Sequence, residues 1–252
     1  MRHRLDDTII ARGLAQSRDD AFVLITGGRV FVDSQKAISG SQIVPDDARI
    51  VVRNAPRNVG RGAEKLAHAL EKFGVSPDGK ICLDIGAATG GFTQVLLETG
   101  AKKVYAVDTA TGKLADKIRS DPRVVVMEKT DIRNISALPD TIDIIAIDVS
   151  LVSLRHILTH ISRASLVTPE TIVLALFKPQ YETRDPAHLK GGVIRSDEIR
   201  NILVHQFTDW LSENNWIVRD QTTSPIKGSK GNVEYLFYLT YKYQKNDMAK
   251  SV

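Results

Sequence analysis

Along most of the chain, apolar residues recur with two periods. Leu66, Ala69, Leu70 and Phe73 sit at i, i+3, i+4 and i+7, the stripe of an amphipathic helix that opens near Glu64 and that Gly74 stops. Beyond it, short apolar runs at 81–85, 103–108, 124–128, 142–148 and 171–178 alternate with helix-spaced segments around 92–99, 112–119, 153–164 and 196–213. Strands that alternate with helices need crossovers, so this rhythm predicts a largely parallel sheet with helices on both faces, an α/β architecture. Two further extended runs, 216–222 and 234–241, flank the Gly- and Lys-containing residues 227–232 and predict a hairpin that ends the sheet.

The first quarter of the chain follows a different pattern. Turn signals come close together at Arg12-Gly13-Leu14, Gly27-Gly28 and Asp33-Ser34. Ser17, followed by Asp19 and Asp20, reads as the N-cap of a short helix through Ala21, Leu24 and Ile25. Arg29–Asp33 alternates like a strand, and Arg49–Val52 reads as another. The expectation is a small α+β unit over 1–53, a Pro-, Asn- and Gly-containing linker over 54–62, the α/β unit over 63–243 and a polar tail over 244–252.

Composition narrows the class. With 42% hydrophobic and 25% charged residues, the 252-residue chain has the balance of a soluble globular protein, leaving little room for disorder. No apolar run reaches the roughly 18–20 residues that span a bilayer, and Met1–Asp6 lacks the apolar core of a signal peptide, so a cytoplasmic protein without membrane contact is expected. Cys82 is the single cysteine and lies in an apolar run; it reads as core, and neither a disulfide nor a cysteine zinc cluster is available. No metal site is expected. Residues 1–62 hold ten Lys and Arg against seven Asp, so most of the net charge of +4 lies there, either as a solvated surface or as a face for a polyanion.

Ligands of such sheets bind beyond the carboxyl ends of the strands, where strand order reverses. Ile81–Phe92 reads as a strand, an acid, a glycine loop and a helix start, which lets backbone approach a nucleoside closely. Asp108 ends the next strand, 22 residues after Gly86, where an acid can accept both ribose hydroxyls of an adenosine. That spacing would also suit NAD. The loop order Gly-x-x-x-Gly-Gly, however, lacks the Gly-x-Gly-x-x-Gly geometry that presents a helix N-terminus to pyrophosphate, and favours S-adenosylmethionine, which carries no phosphate. Candidate cofactor contacts are Asp84, Gly86, Ala88, Gly90, Gly91, Phe92, Asp108 and Asp148; Asp131 reads either as an acceptor for the adenine amino group or as a helix cap.

Asp148, Lys178 and Glu234 fall at strand ends, and Lys65 lies on the helix before the first strand. Lys178 follows five apolar residues and precedes Pro179, an unusual place for an idle surface charge. Deprotonating a ribose hydroxyl calls for a base, and a free lysine with a pKa of about 10.4 is protonated at neutral pH. A second cation and partial desolvation destabilise the ammonium, while carboxylates orient it, so two lysines and two acids around one ribose provide a workable set. Alone, Asp148 could equally be a strand-end cap and Glu234 an edge charge that discourages aggregation.

Several segments together resemble a known family. Arg4-Leu5-Asp6, Arg12–Arg18, Ala21, Leu24-Ile25, Gly28 and Val30-x-Val32-Asp33 resemble the S-four-type RNA-binding domain, although Ser34 stands where a glycine is common. Gly60–Leu66, Leu83–Thr93, Asp148–Leu154, Lys178–Glu182, Gly191–Val193 and Gly231–Tyr235 resemble the TlyA family, whose methyltransferase part is FtsJ-like. The resemblance covers nearly the whole chain. It implies a Rossmann-like class I methyltransferase fold with a seven-stranded sheet, and a Lys-Asp-Lys-Glu tetrad at Lys65, Asp148, Lys178 and Glu234. It implies S-adenosylmethionine as donor and 2′-O-methylation of cytidine in ribosomal RNA of the large, and in some members the small, subunit. It makes Arg4, Arg12, Arg18, Arg29 and Arg61 candidate RNA contacts and ribosomal RNA or subunits the partner; the sequence leaves the oligomeric state open, with a monomer as the expectation. Departures are Gly60 where Ser is usual, Leu151 where Phe is frequent, and Asp108-Thr109-Ala110-Thr111-Gly112 in place of Asp-Val-x-x-Gly. Two other classes stay open at this level: an RNA-binding assembly factor with little catalysis, and a membrane-active protein in keeping with the haemolysin label the family carries.

Overall fold

A computed structural model describes residues 2–53 and 58–243; the tail over 244–252 and residues 54–57 of the expected linker lie outside the described residues. The chain divides into two compact units, Met1–Arg57 and Asn58–Val252.

In the first unit, β1 (Arg2–Arg4) leads into α1 (Leu5–Ala11), followed by α2 (Arg18–Thr26), β2 (Val30–Val32), β3 (Gln35–Lys36), β4 (Ile43–Pro45) and β5 (Ile50–Val52). β2 lies between β3 and β5 in an antiparallel sheet, and β1 pairs with β4. The Ser17 hydroxyl caps α2 by accepting from the Asp20 amide at 3.1 Å. Leu5, Ile9, Ala21, Leu24, Ile25, Val30 and Val44 close a small core. Asp33 and Ser34 turn the β2–β3 hairpin with both φ angles positive, so the serine does what a glycine would do there at lower strain.

The second unit opens with α3 (Gly62–Phe73), then β6 (Ile81–Ile85), α4 (Gly91–Glu98), β7 (Lys103–Val107), α5 (Asp116–Arg119), β8 (Val124–Met127), β9 (Ile144–Ile147), α6 (Leu154–Arg163), β10 (Ile172–Phe177), α7 (Asp197–Glu213), β11 (Trp216–Thr223) and β12 (Tyr235–Tyr241). Residues 58–61 pack with this unit, the Val59 amide donating to Gln94 Oε1 at 2.8 Å. The seven strands run in the order β11-β12-β10-β9-β6-β7-β8, and β12 alone is antiparallel to its neighbours. This is the mainly parallel, Rossmann-like sheet expected of the methyltransferase class. The expected hairpin ends the sheet, its second strand β12 lying between β10 and the edge strand β11.

The inner strands β6, β7, β9, β10 and β12 are buried on both faces, while the edge strands β8 and β11 are partly exposed. Leu83, Ile85, Ile145, Ile147 and Phe177 meet α6 and α7 on one side, while Cys82, Val104, Ile144, Leu174 and Leu176 meet α3 and α4 on the other. Burial pushes the Cys82 thiol up to about 12, which leaves it an unreactive core side chain. α5 is shorter than its apolar spacing suggests, because the Glu128 carboxylate engages the amides of Gly112 and Leu114 and holds the preceding stretch as a loop.

Phe207 is fully buried, stacked on Phe177 at 4.5 Å between ring centroids and edge-on to Phe237 at 5.2 Å. Phe207→Ala should therefore cost about 3–5 kcal/mol of stability, the range for deleting a core aromatic ring. Urea denaturation of the two proteins measures it, and a loss below about 1 kcal/mol would contradict this packing.

Candidate active site

Strand order reverses between β6 and β9, and the chemistry-bearing side chains gather beyond the carboxyl ends of these strands and β10. A cavity of about 430 Å³ opens there, lined by Gly86, Ala88, Asp108, Asp131 and Asp148 together with apolar Val107, Val149 and Ile157. Asp108 steadies the glycine loop: one carboxylate oxygen accepts from the Ala88 amide and the other from Ala110, both at 2.7 Å. Each oxygen keeps a further lone pair for a ligand hydroxyl. Asp131 lines the same cavity and also caps the turn at Ile132–Asn134, accepting from the Arg133 amide at 2.9 Å. The two readings of that residue are compatible.

Asp84, Gly90, Gly91 and Phe92 do not line the cavity. Gly91 and Phe92 pack near α3, and Gly90 lies against Leu114 and Ile118. Asp84 is fully buried; Oδ2 accepts from the Thr93 hydroxyl at 2.6 Å, and Oδ1 has no partner. Burial, reinforced by the negative charges of Asp148 and Asp108 and opposed by the Thr93 hydrogen bonds, pushes its carboxyl up to about 7.

A second cavity of about 430 Å³ is lined by Arg61, Lys65, Lys178, Gln180, Lys230, Asn232 and Glu234 among others, and it shares Ser150 and Leu151 with the first. The four residues of the expected tetrad form two ion pairs at this junction. Lys178 Nζ lies 2.5 Å from Asp148 Oδ1 and donates to Ser150 Oγ at 3.0 Å. Lys65 Nζ lies 2.5 Å from Glu234 Oε2. Lys65, Lys178 and Glu234 are all buried. The Glu234 carboxylate rests on Gly228, where a Cβ would stand 2.4 Å from Oε1.

Of the arginines assigned to RNA, Arg61 lines this second cavity. The other four are tied within the first unit: Arg4 to Asp6, Arg18 to Asp7 at 2.9 Å, Arg12 to the carbonyls of Ala48 and Asp46, and Arg29 to the Arg53 carbonyl. Arg12 and Arg29 thus brace that unit, while Arg18 keeps an exposed guanidinium. Three residues went unassigned in sequence although they lie inside the recognised motifs. Ser150 binds Lys178; Gln180 donates to Glu234 Oε1 at 3.4 Å; Asn232 accepts from the Ile194 amide at 3.0 Å and donates to the Gly192 carbonyl at 2.8 Å, pinning a loop beside the cavity.

The model of the FtsJ-like methyltransferase family matches residues 58–241. Over 255 aligned residues, covering 100% of this chain and 94% of the relative, the chain is 36% identical to the 16S/23S rRNA (cytidine-2'-O)-methyltransferase TlyA of Mycobacterium tuberculosis (strain ATCC 25618 / H37Rv). The chain belongs to the TlyA family. It is also 39% identical to Hemolysin A of Brachyspira hyodysenteriae over 236 residues, 92% of this chain and 98% of that protein. A solved structure from Streptococcus thermophilus that carries the hemolysin name superposes with a TM-score of 0.70 at 32% identity, over 96% of this chain and 89% of that one. The TlyA-family chain is an enzyme of the FtsJ-like methyltransferase class. Among the described residues, no helix is long and apolar enough to cross a membrane.

Asp84 yields a pH test. In the fold its carboxyl keeps a proton up to about 7, whereas the unfolded chain releases it near pH 4. The folded state therefore holds the extra proton between these values, and its stability falls as pH rises through that window; the cost is absent below about pH 4 and complete above about pH 7. Asp84→Asn cannot titrate, so the melting temperature of the wild type relative to the variant should drop from pH 5 to pH 8. Parallel curves would contradict the raised carboxyl.

Proposed function

We propose that the chain transfers a methyl group from S-adenosylmethionine to the ribose 2′-hydroxyl of a cytidine in ribosomal RNA, with Lys178 as the base. The observation that carries this reading is the ion pair spanning the junction of the two cavities: Asp148 lines the first, Lys178 lines the second, and they meet at 2.5 Å. A donor in one cavity and an acceptor in the other would then face each other across that pair. The names of the M. tuberculosis relative and of the family support the substrate and the reaction.

The residues around the first cavity fit the donor. When bound, S-adenosylmethionine supplies a methyl group on a cationic sulfonium and brings no phosphate. Asp108 and Asp148 line it and concentrate negative charge there, and Gly86 leaves backbone uncovered. Asp108 would hold the ribose hydroxyls and Asp131 the adenine amino group, with Gly86 and Ala88 beneath. Gly90, Gly91 and Phe92 shape the loop from behind.

On the substrate side, Lys178 as a neutral amine would take the proton from the 2′-hydroxyl while that oxygen bonds to the methyl carbon and the methyl–sulfur bond of the donor breaks, its electron pair leaving with sulfur as a neutral thioether. Asp148 and Ser150 hold the amine in position, and Lys65 with Glu234 flanks the ribose. Because positioning supplies much of the acceleration in such a displacement, a fixed base matters more than a strong one. Exposed Arg61, Lys190, Lys227 and Lys230 lie on or beside residues that line the second cavity, where RNA phosphates would approach. The first unit, with Arg4, Arg12, Arg18 and Arg29, serves as an S-four-type RNA-binding domain that adds affinity. The enzyme works in the cytoplasm on ribosomal RNA or subunits, as a monomer.

Incubation with labelled S-adenosylmethionine and undermethylated ribosomal subunits should place label on a ribose. Lys178→Ala should lower the rate by about 10²–10⁴-fold, the range for removing a general base. A wild-type rate in that variant would end the assignment of Lys178.

A further inference from the structure

Glu182 takes no part in the chemistry above, yet its carboxylate is almost wholly enclosed, its side chain 2% exposed. It accepts three hydrogen bonds from the start of α6: Oε1 from the Leu154 amide at 2.7 Å, and Oε2 from the Ser153 hydroxyl at 2.8 Å and from Arg155 Nη1 at 2.6 Å. A carboxylate at a helix N-terminus satisfies free amides and meets the positive end of the helix dipole. Arg155 is in turn stacked near Phe207 and Trp210, 5.4 and 5.9 Å from their ring centroids.

The connectivity gives this cluster a reach beyond α6. Glu182 lies four residues after Lys178, on a stiff turn: Pro179 restricts the backbone, the Tyr181 amide donates to the Lys178 carbonyl at 2.9 Å, and the Glu182 amide donates to the Pro179 carbonyl at 3.1 Å. Ser153 and Leu154 close the loop that begins at Asp148. Two strand-end loops, one from β9 and one from β10, are thus joined at one end by Asp148–Lys178 and at the other by Glu182. The Asp148 arm also contains Leu151, a non-glycine residue with φ of 66°, a conformation that persists only where its surroundings enforce it.

We propose that Glu182 is a positioning residue that sets the placement of Lys178 against Asp148 by clamping these two loops; this rests on the reading of Lys178 as the base. Glu182 itself lines neither cavity and reaches the reacting groups only through the two loops that it joins. Its loss should appear in kcat, with the affinity for S-adenosylmethionine and the KM for RNA retained.

The test measures kcat and KM with undermethylated ribosomal subunits, S-adenosylmethionine binding by calorimetry, and melting temperature, for Glu182→Gln and for the double variant Glu182→Ala/Arg155→Leu. The double variant removes both enclosed charges together and so avoids leaving an unpaired arginine that could unfold the protein. In each, kcat should fall by about 10–100-fold, the scale set by misplacement of order 1 Å, while KM and cofactor affinity stay within about twofold. Wild-type kcat in the folded double variant overturns the proposal. So does a loss shared equally by kcat, KM and cofactor binding, which would make Glu182 a general part of the fold. Lys178→Ala, measured alongside, separates the two readings. If it is inactive while the double variant is fully active, only the clamp fails; if it is fully active, the base assignment fails, and a slow double variant then overturns action through Lys178 as well.

Discussion

Where β6 and β9 end side by side, the Gly86 backbone runs so close to its neighbour that a Cβ there would lie 2.4 Å from the Asp148 carbonyl oxygen. The polar end of the sheet depends on that approach. The chain leaves β6 toward α4 and leaves β9 toward α6, which pack on opposite faces, so the loops diverge and a crevice opens between them. A side chain at 86 would push the end of β9 aside and carry Asp148 away from Lys178. The same closeness brings Asp84, Asp108 and Asp148 within electrostatic range of one another, and it is one reason that Asp84 holds its proton so firmly.

Charges enclosed this deeply do little for stability. Taking an ammonium and a carboxylate out of water costs several kcal/mol per ion, and pairing them roughly offsets that cost. Lys65 with Glu234, Lys178 with Asp148 and Arg155 with Glu182 are three such pairs within a few residues of the same strand ends. Apolar side chains of similar volume could fill the space at no loss of stability, so what these pairs provide is geometry. They hold amines and carboxylates at fixed places beside two cavities, supported by a largely apolar core beneath them.

Much of this was legible in the chain itself, for reasons that can be traced. The alternation of apolar runs with helix-spaced stripes follows from burying a parallel sheet on both faces, and it located every strand of the second unit to within about two residues. Acids and lysines directly after apolar runs stood out because such runs end at the ligand-binding edge. Pairing was not legible. Which lysine meets which carboxylate depends on strand order, and the insertion of β12 beside β10 leaves no local trace in sequence. Glu182 lies inside the recognised Lys178–Glu182 segment, but its role was not legible, because its partners lie 27 to 29 residues earlier on another element. For the arginines of the first unit, the positive charge was visible in sequence, while the carbonyls and aspartate that Arg12, Arg29 and Arg4 engage were not.

The reversed strand β12 also sets a schedule for the newly made chain. Glu234 lies immediately before β12, 169 residues after the lysine it meets, and it reaches the end of the sheet where Asp148 and Lys178 lie because this one strand runs against the rest. A chain still being synthesised can complete β6 to β10 and bring Asp148 to Lys178 while Lys65 has no carboxylate to meet. The last hairpin supplies it. Assembly of the full set therefore coincides with closure of the sheet at its far side, and a polypeptide that has not finished folding carries an incomplete and electrostatically unbalanced site.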